Sequence, residues 1–200
     1  FEYRYGWGSH DPFTGPMEML PVNTKMKVSY LGAAQEWEQH VGSSPHFDFR
    51  TKTVTAKLWD SNNSDISGSA TFHYRYGWGS HILLTASGME LLPVNTKVRV
   101  SYGGTTVEKE QNVGSNPDFD FITVLVTASL TGSSPPPATY FYRYGWESYM
   151  PFTAAGTELL PVKVKVKCAV TGDSKEKEQN IPLPGPHDFA FTWDGSSLSK

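Results

Sequence analysis

YRYGWGSH occupies residues 3–10 and recurs letter for letter at 74–81, and YRYGWESY fills 142–149. Other marks travel with it. LPVNTK at 20–25 returns at 92–97, with LPVKVK at 160–165; EWEQHVGSSPHFDF from Glu36 is echoed by EKEQNVGSNPDFDF from Glu108 and EKEQNIPLPGPHDFAF from Glu176. Self-similarity at a fixed spacing marks a repeat architecture. The unit is about 70 residues long, and the 200 residues divide into repeats at 1–51, 52–123 and 124–200 rather than one large domain.

Around the octapeptide the apolar residues alternate with a period of two. In TVTAKLW, Val54, Ala56 and Leu58 share one face. In ATFHYRYGW, the residues Phe72, Tyr74, Tyr76 and Trp78 point one way and His73, Arg75 and Gly77 the other; Val98, Val100 and Tyr102 alternate with Lys97, Arg99 and Ser101. Each segment is short, is bounded by Gly, Pro, Asn or Ser, and carries no helical period. The pattern predicts an all-β chain of three tandem small antiparallel β-sandwich repeats. Repeats this small have thin cores, so neighbours are expected to lean on each other.

Phe1 aligns with Phe72, which opens the second strand of its repeat, so the first repeat lacks its initial strand. That leaves an unpaired edge and part of a core uncovered. Two expectations follow: the chain is a processed or excised piece of something longer, or the strand comes from another chain, so that the protein self-assembles by strand complementation. The C-terminal stretch TWDGSSLSK is a poor donor, being short and less apolar than TVTAKLW.

The succession DSNNSDISGSATFHY, then MELLPVNTKVRVSYGG, then a DFDF strand resembles the carboxypeptidase-regulatory-like and Cna-B-type prealbumin-like sandwiches of bacterial surface proteins. The resemblance covers nearly the whole chain and implies an extracellular stalk, adhesin or fibre module and no enzyme. LPVNTK stands where that group has Leu-Pro-x-Gly-x-Tyr. Cna-B domains often carry a Lys–Asn isopeptide bond, and Lys57 lies on the first strand of repeat 2. The third repeat has Ser129 there, and neither DFDF nor DFAF contains an Asn.

A net charge of -3 with interspersed signs gives no footprint for nucleic acid or an anionic membrane, and no apolar run nears the roughly 20 residues of a spanning helix. The single Cys168 excludes an internal disulfide; it aligns with the inward Val28 and Val100 and reads as a buried small hydrophobe. The composition suits a secreted or cell-surface protein. No catalytic arrangement is apparent, and no cofactor or metal is expected. His10 and His81 give way to Tyr149 in the third copy, and Asp60, Asn62, Ser64 and Asp65 read as a turn rather than a calcium loop. Lys25 and Lys27, with Glu36 and Glu38 and their counterparts, read as hairpin neighbours pairing across a solvent face.

The aromatic stripe itself reads first as core or inter-repeat packing. The alternative places Trp7, Trp78 and Trp146 on loops where their rings stack on sugar faces, with Arg4, Arg75 and Arg143 and the nearby His10 and His81 as polar contacts. Arg and Trp have opposite parity, so one site needs the loop to twist between them. Two functions stand side by side: a non-catalytic structural or adhesive repeat whose partners are other copies of itself or neighbouring repeats, and a multivalent polysaccharide binder.

Overall fold

The computed structural model describes residues 1–85 and 87–200; among them the regular structure is almost entirely β-strand, with one 3-10 turn at Ser67–Ser69. Repeat 1 holds β1 (Glu2–Tyr5), β2 (Asp11–Pro12), β3 (Asn23–Tyr30) and β4 (Ala33–His40). Repeat 2 holds β5 (Lys52–Trp59), β6 (Thr71–Arg75), β7 (Ile82–Leu84), β8 (Met89–Leu91), β9 (Asn95–Tyr102), β10 (Thr105–Asn112) and β11 (Asp118–Ile122). Repeat 3 holds β12 (Val124–Gly132), β13 (Thr139–Arg143), β14 (Met150–Phe152), β15 (Thr157–Leu159), β16 (Lys163–Val170), β17 (Asp173–Asn180), β18 (His187–Trp193) and β19 (Leu198–Ser199). Packing divides the chain into two compact units. The first comprises Phe1–Thr55, His73–Val98 and Lys109–Phe119, the second Ala56–Phe72, Arg99–Glu108 and Asp120–Lys200.

The third repeat, inside the second unit, is a complete sandwich of two four-stranded sheets, ordered β15-β12-β18-β19 and β14-β13-β16-β17. Alternate residues turn inward: Val124, Val126 and Ala128 from β12, Val164, Val166 and Cys168 from β16, and Phe189 and Phe191 from β18 form one core cluster with Tyr142 and Tyr144. Each fully buried side chain of this kind contributes about 1.5–3 kcal/mol. Pairing is antiparallel except between β12 and β18, which run parallel. These first and last long strands of the repeat meet side by side after the chain has crossed through the other sheet.

The second repeat has sheets ordered β10-β9-β6-β7 and β11-β5-β8. The first repeat forms a single sheet, β2-β1-β3-β4, and its residues 13–22 and 41–51 carry no strand. These are the counterparts of β8 and β11. Among the described residues no strand equivalent to β5 and β12 lies between them.

The charge ladder forms as expected: Lys25 pairs with Glu38 and Lys27 with Glu36, and Lys165 and Lys167 face Glu178 and Glu176. Cys168 is fully buried. Lys57 is half exposed and ion-paired with Asp65 at 3.7 Å, so it serves the surface instead of an isopeptide bond. The Asp60 carboxylate accepts the N–H groups of Asn62 and Ser64, both at 2.8 Å, closing a turn. Among the described residues no group of acidic, His or Cys side chains could hold a metal, and no helix is long and apolar enough to cross a membrane.

Candidate functional site

The octapeptide divides its work between its tyrosines and its tryptophan. β1, β6 and β13 end at Tyr5, Arg75 and Arg143, and the next residues form a tight turn closed by the bonds Gly8 N–H to Tyr5 O (3.2 Å), Gly79 N–H to Tyr76 O (2.9 Å) and Glu147 N–H to Tyr144 O (3.0 Å). The residue after each Tyr is Gly6, Gly77 or Gly145, at φ of 57°, 52° and 52°. Only glycine enters this left-handed region without strain. No atom lies within 4 Å of where a side chain would stand, so the demand is conformational rather than steric.

The turn supplies the twist that strand parity alone denies. It folds each indole back over the cations of the strand's polar face. The Lys25 ammonium lies 4.6 Å from the centre of the Trp7 ring, Lys97 lies 4.9 Å from Trp78, and Lys165 lies 4.5 Å from Trp146. The guanidinium carbons of Arg75 and Arg143 lie 5.8 Å and 5.6 Å from their tryptophans. All three indoles are nevertheless about 90 % exposed. The expectation that Trp shares the buried side of the stripe is therefore corrected. Tyr74, Tyr142 and Tyr144 go inward, and the tryptophans stand outside on a cationic shelf.

Under the shelf a glutamate ties the polar residues together. Glu36 accepts Arg4 Nη2 at 2.9 Å and Nε at 3.2 Å, and bonds His10 Nε2 at 2.8 Å. The Arg4 bonds first, and His10 with them, hold its carboxyl below the ordinary range. In repeat 3 Glu176 accepts two bonds from Arg143 Nη2, at 2.9 and 3.1 Å, and Tyr149 donates its hydroxyl to the same carboxylate. Tyr149 thus takes over the position of His10. In repeat 2 the ring of His81 lies edge-on to His73 at 6.5 Å.

The structure therefore brings Trp7, Arg4 and His10 into one patch, and likewise Trp146 with Arg143, and Trp78 with Arg75. Sequence reasoning missed Lys25, Lys97 and Lys165, the cations closest to the rings. The signal lay in the register, since Arg4 pairs across the ladder with Lys25 and Arg143 with Lys165.

The tyrosines make the second half of the motif. In the first unit Tyr76 packs with Val28, Ala33 and Leu92, against the turn that closes repeat 1, and burial first, then Tyr74 and Tyr30, pushes its hydroxyl up to about 12. In the second unit Tyr142 donates a hydrogen bond to Gly103 O at 3.4 Å, on the matching turn of repeat 2. The motif thus serves matching hairpin turns twice, through its second tyrosine in the first unit and its first tyrosine in the second. No protein-family model matches this chain, and a search of curated proteins found no relative.

Proposed function

We propose that the chain is a non-catalytic extracellular structural and adhesive repeat module, of the kind its resemblance to bacterial surface sandwiches implies. The observation that carries this reading is the division of labour within YRYGW, in which buried or half-buried tyrosines join one repeat to the next while an exposed tryptophan is presented at the same place in all three. Repetition then serves both spacing and avidity.

A second reading, multivalent carbohydrate binding, is favoured by one specific feature. Each indole has cations on one side and an open face, with Arg and Lys donors beside it, which suits a sugar ring stacked on the free face. The test is binding of the 200-residue chain to immobilised polysaccharides, compared with the Trp7→Ala/Trp78→Ala/Trp146→Ala variant. Binding lost in the variant supports adhesion through the shelf. Binding that the variant retains removes the tryptophans from it, and no binding to any glycan leaves the structural role alone.

A further inference from the structure

The tryptophan shelf of repeat 3 differs from the other two at two positions that touch each other. Phe141 stands where repeats 1 and 2 have Glu2 and His73, and Tyr149 stands where they have His10 and His81. The two rings of repeat 3 pack edge to face with centres 6.4 Å apart. Arg143 links Tyr149 to Trp146, its guanidinium carbon lying 4.7 Å from the first ring centre and 5.6 Å from the second. Tyr149 is 37 % exposed and Trp146 88 %. A second accessible aromatic ring therefore joins the tryptophan here, where the other repeats carry an imidazole.

The same exchange removes an acid. In repeat 1 the ammonium of Lys27 is held by Glu2 at 2.8 Å. Its counterpart Lys167 pairs across the ladder with Phe141 on one side and Glu176 on the other. Glu176 is already engaged by Arg143, by the Tyr149 hydroxyl and, at 3.8 Å, by Lys165. Among the described residues Lys167 has no ion pair, and its half-buried ammonium lies 5.2 Å from the centre of the Tyr149 ring. Strand alternation puts Arg143, Lys163, Lys165 and Lys167 on the outer face against Glu176 and Glu178. The matching face of repeat 1 balances Arg4, Lys25 and Lys27 against Glu2, Glu36 and Glu38. Repeat 3 thus presents an excess of positive charge beside its two exposed rings.

We infer that the outer face of repeat 3 is a binding site for an acidic polysaccharide, in which a sugar ring stacks on Trp146 or Tyr149 and its anionic group pairs with Lys167. The inference rests on the carbohydrate reading above and deepens it by naming the charge class of the ligand and the repeat that takes it.

Charge and shape select this class together. A cation without a carboxylate partner beside a flat exposed ring suits a ligand that carries a rigid apolar face and a negative group on one unit, as an acidic sugar does. An acidic peptide matches the charge but brings no such face to the indole. Repeat 1 has the tryptophan without the charge, since Glu2 neutralises Lys27. Repeat 2 has two imidazoles, His73 and His81, edge-on at 6.5 Å in place of the phenyl and phenol.

The experiment is isothermal titration calorimetry of the 200-residue chain with polygalacturonate, dextran sulfate and neutral dextran. Saturable binding of an acidic polymer and none of dextran is expected, and which acidic polymer binds tells a carboxylate ligand from a sulfate one. Raising the salt from about 0.01 M to about 0.1 M should weaken the binding, because the screening length shortens. Lys167→Gln should weaken it about fivefold, the upper range for an exposed ion pair. Phe141→Glu, which gives Lys167 the partner that Lys27 has, should weaken it at least as much. Trp146→Ala should weaken it up to about tenfold, while the Trp7→Ala/Trp78→Ala chain, with repeat 3 intact, should bind as the wild type does. Circular dichroism checks that each variant keeps its strands. Binding that Lys167→Gln and Phe141→Glu both leave unchanged, loss of binding in the Trp7→Ala/Trp78→Ala chain, or no binding of either acidic polymer would overturn the inference. Equal, Trp146-dependent binding of dextran would overturn it too while keeping the carbohydrate reading, so the two fail separately.

Discussion

Gly77 decides where Trp78 stands. Its φ of 52° opens the turn that carries the indole off the strand axis and back over Lys97. An alanine there is forced into the left-handed region at about 1–2 kcal/mol, so Gly77→Ala should lower the stability measured by urea denaturation and shift Trp78 emission. Trp78→Ala should leave stability within about 0.5 kcal/mol, because the ring is 90 % exposed. A larger loss would show that the shelf is structural. Glu36 gives a residue-scale pH dependence. Its folded carboxyl is held below the ordinary 4.5 by the Arg4 bonds and by His10, so the folded state prefers the carboxylate. Its contribution is present above that ordinary value and is lost as pH falls through the depressed one. Glu36→Gln should therefore cost up to about 1 kcal/mol at neutral pH, and the gap from wild type should close as denaturation is repeated at falling pH below roughly 4.5.

At the scale of the element, repeat 3 shows what a central strand does. β12 gives one edge to β15 and the other to β18 while sending Val124, Val126 and Ala128 into the core. In repeat 1, where no such strand lies among the described residues, the counterparts of both neighbours are irregular, although their sequences keep the strand pattern. Equivalent leucines should then differ sharply. Leu160→Ala empties a fully buried site and should cost about 2–5 kcal/mol, whereas Leu20→Ala, at a position 64 % exposed, should change stability by less than about 0.5 kcal/mol. Thermal denaturation of the two variants checks this, and similar losses would mean that repeat 1 has a closed core. Cys168, fully buried on β16 and with its thiol pushed up by burial, should react with a thiol reagent only on unfolding.

For the molecule as a whole, repetition makes two matching joints, each inside one compact unit. Tyr76 at the first joint is the test. Its hydroxyl has no hydrogen-bond partner among the described residues, and burial raises it to about 12. A raised folded value means stability that is full below the ordinary 10 and is lost as pH climbs through about 12. Tyr76→Phe should be as stable as wild type or up to about 1 kcal/mol more stable at neutral pH. Its stability should fall less steeply above pH 10, as urea denaturation at both pH values would show. The sequence by itself determined the repeat, the all-β class, the alternating core and the charge ladder, because period-two alternation and turn residues are local properties that recur in register. Tertiary structure alone decided that β12 and β18 run parallel, that the tryptophans face solvent over Lys25, Lys97 and Lys165, and that Tyr76 and Tyr142 close joints. Each depends on a turn that reverses local parity or on a neighbour distant in the chain, and neither is encoded in the spacing of a single strand.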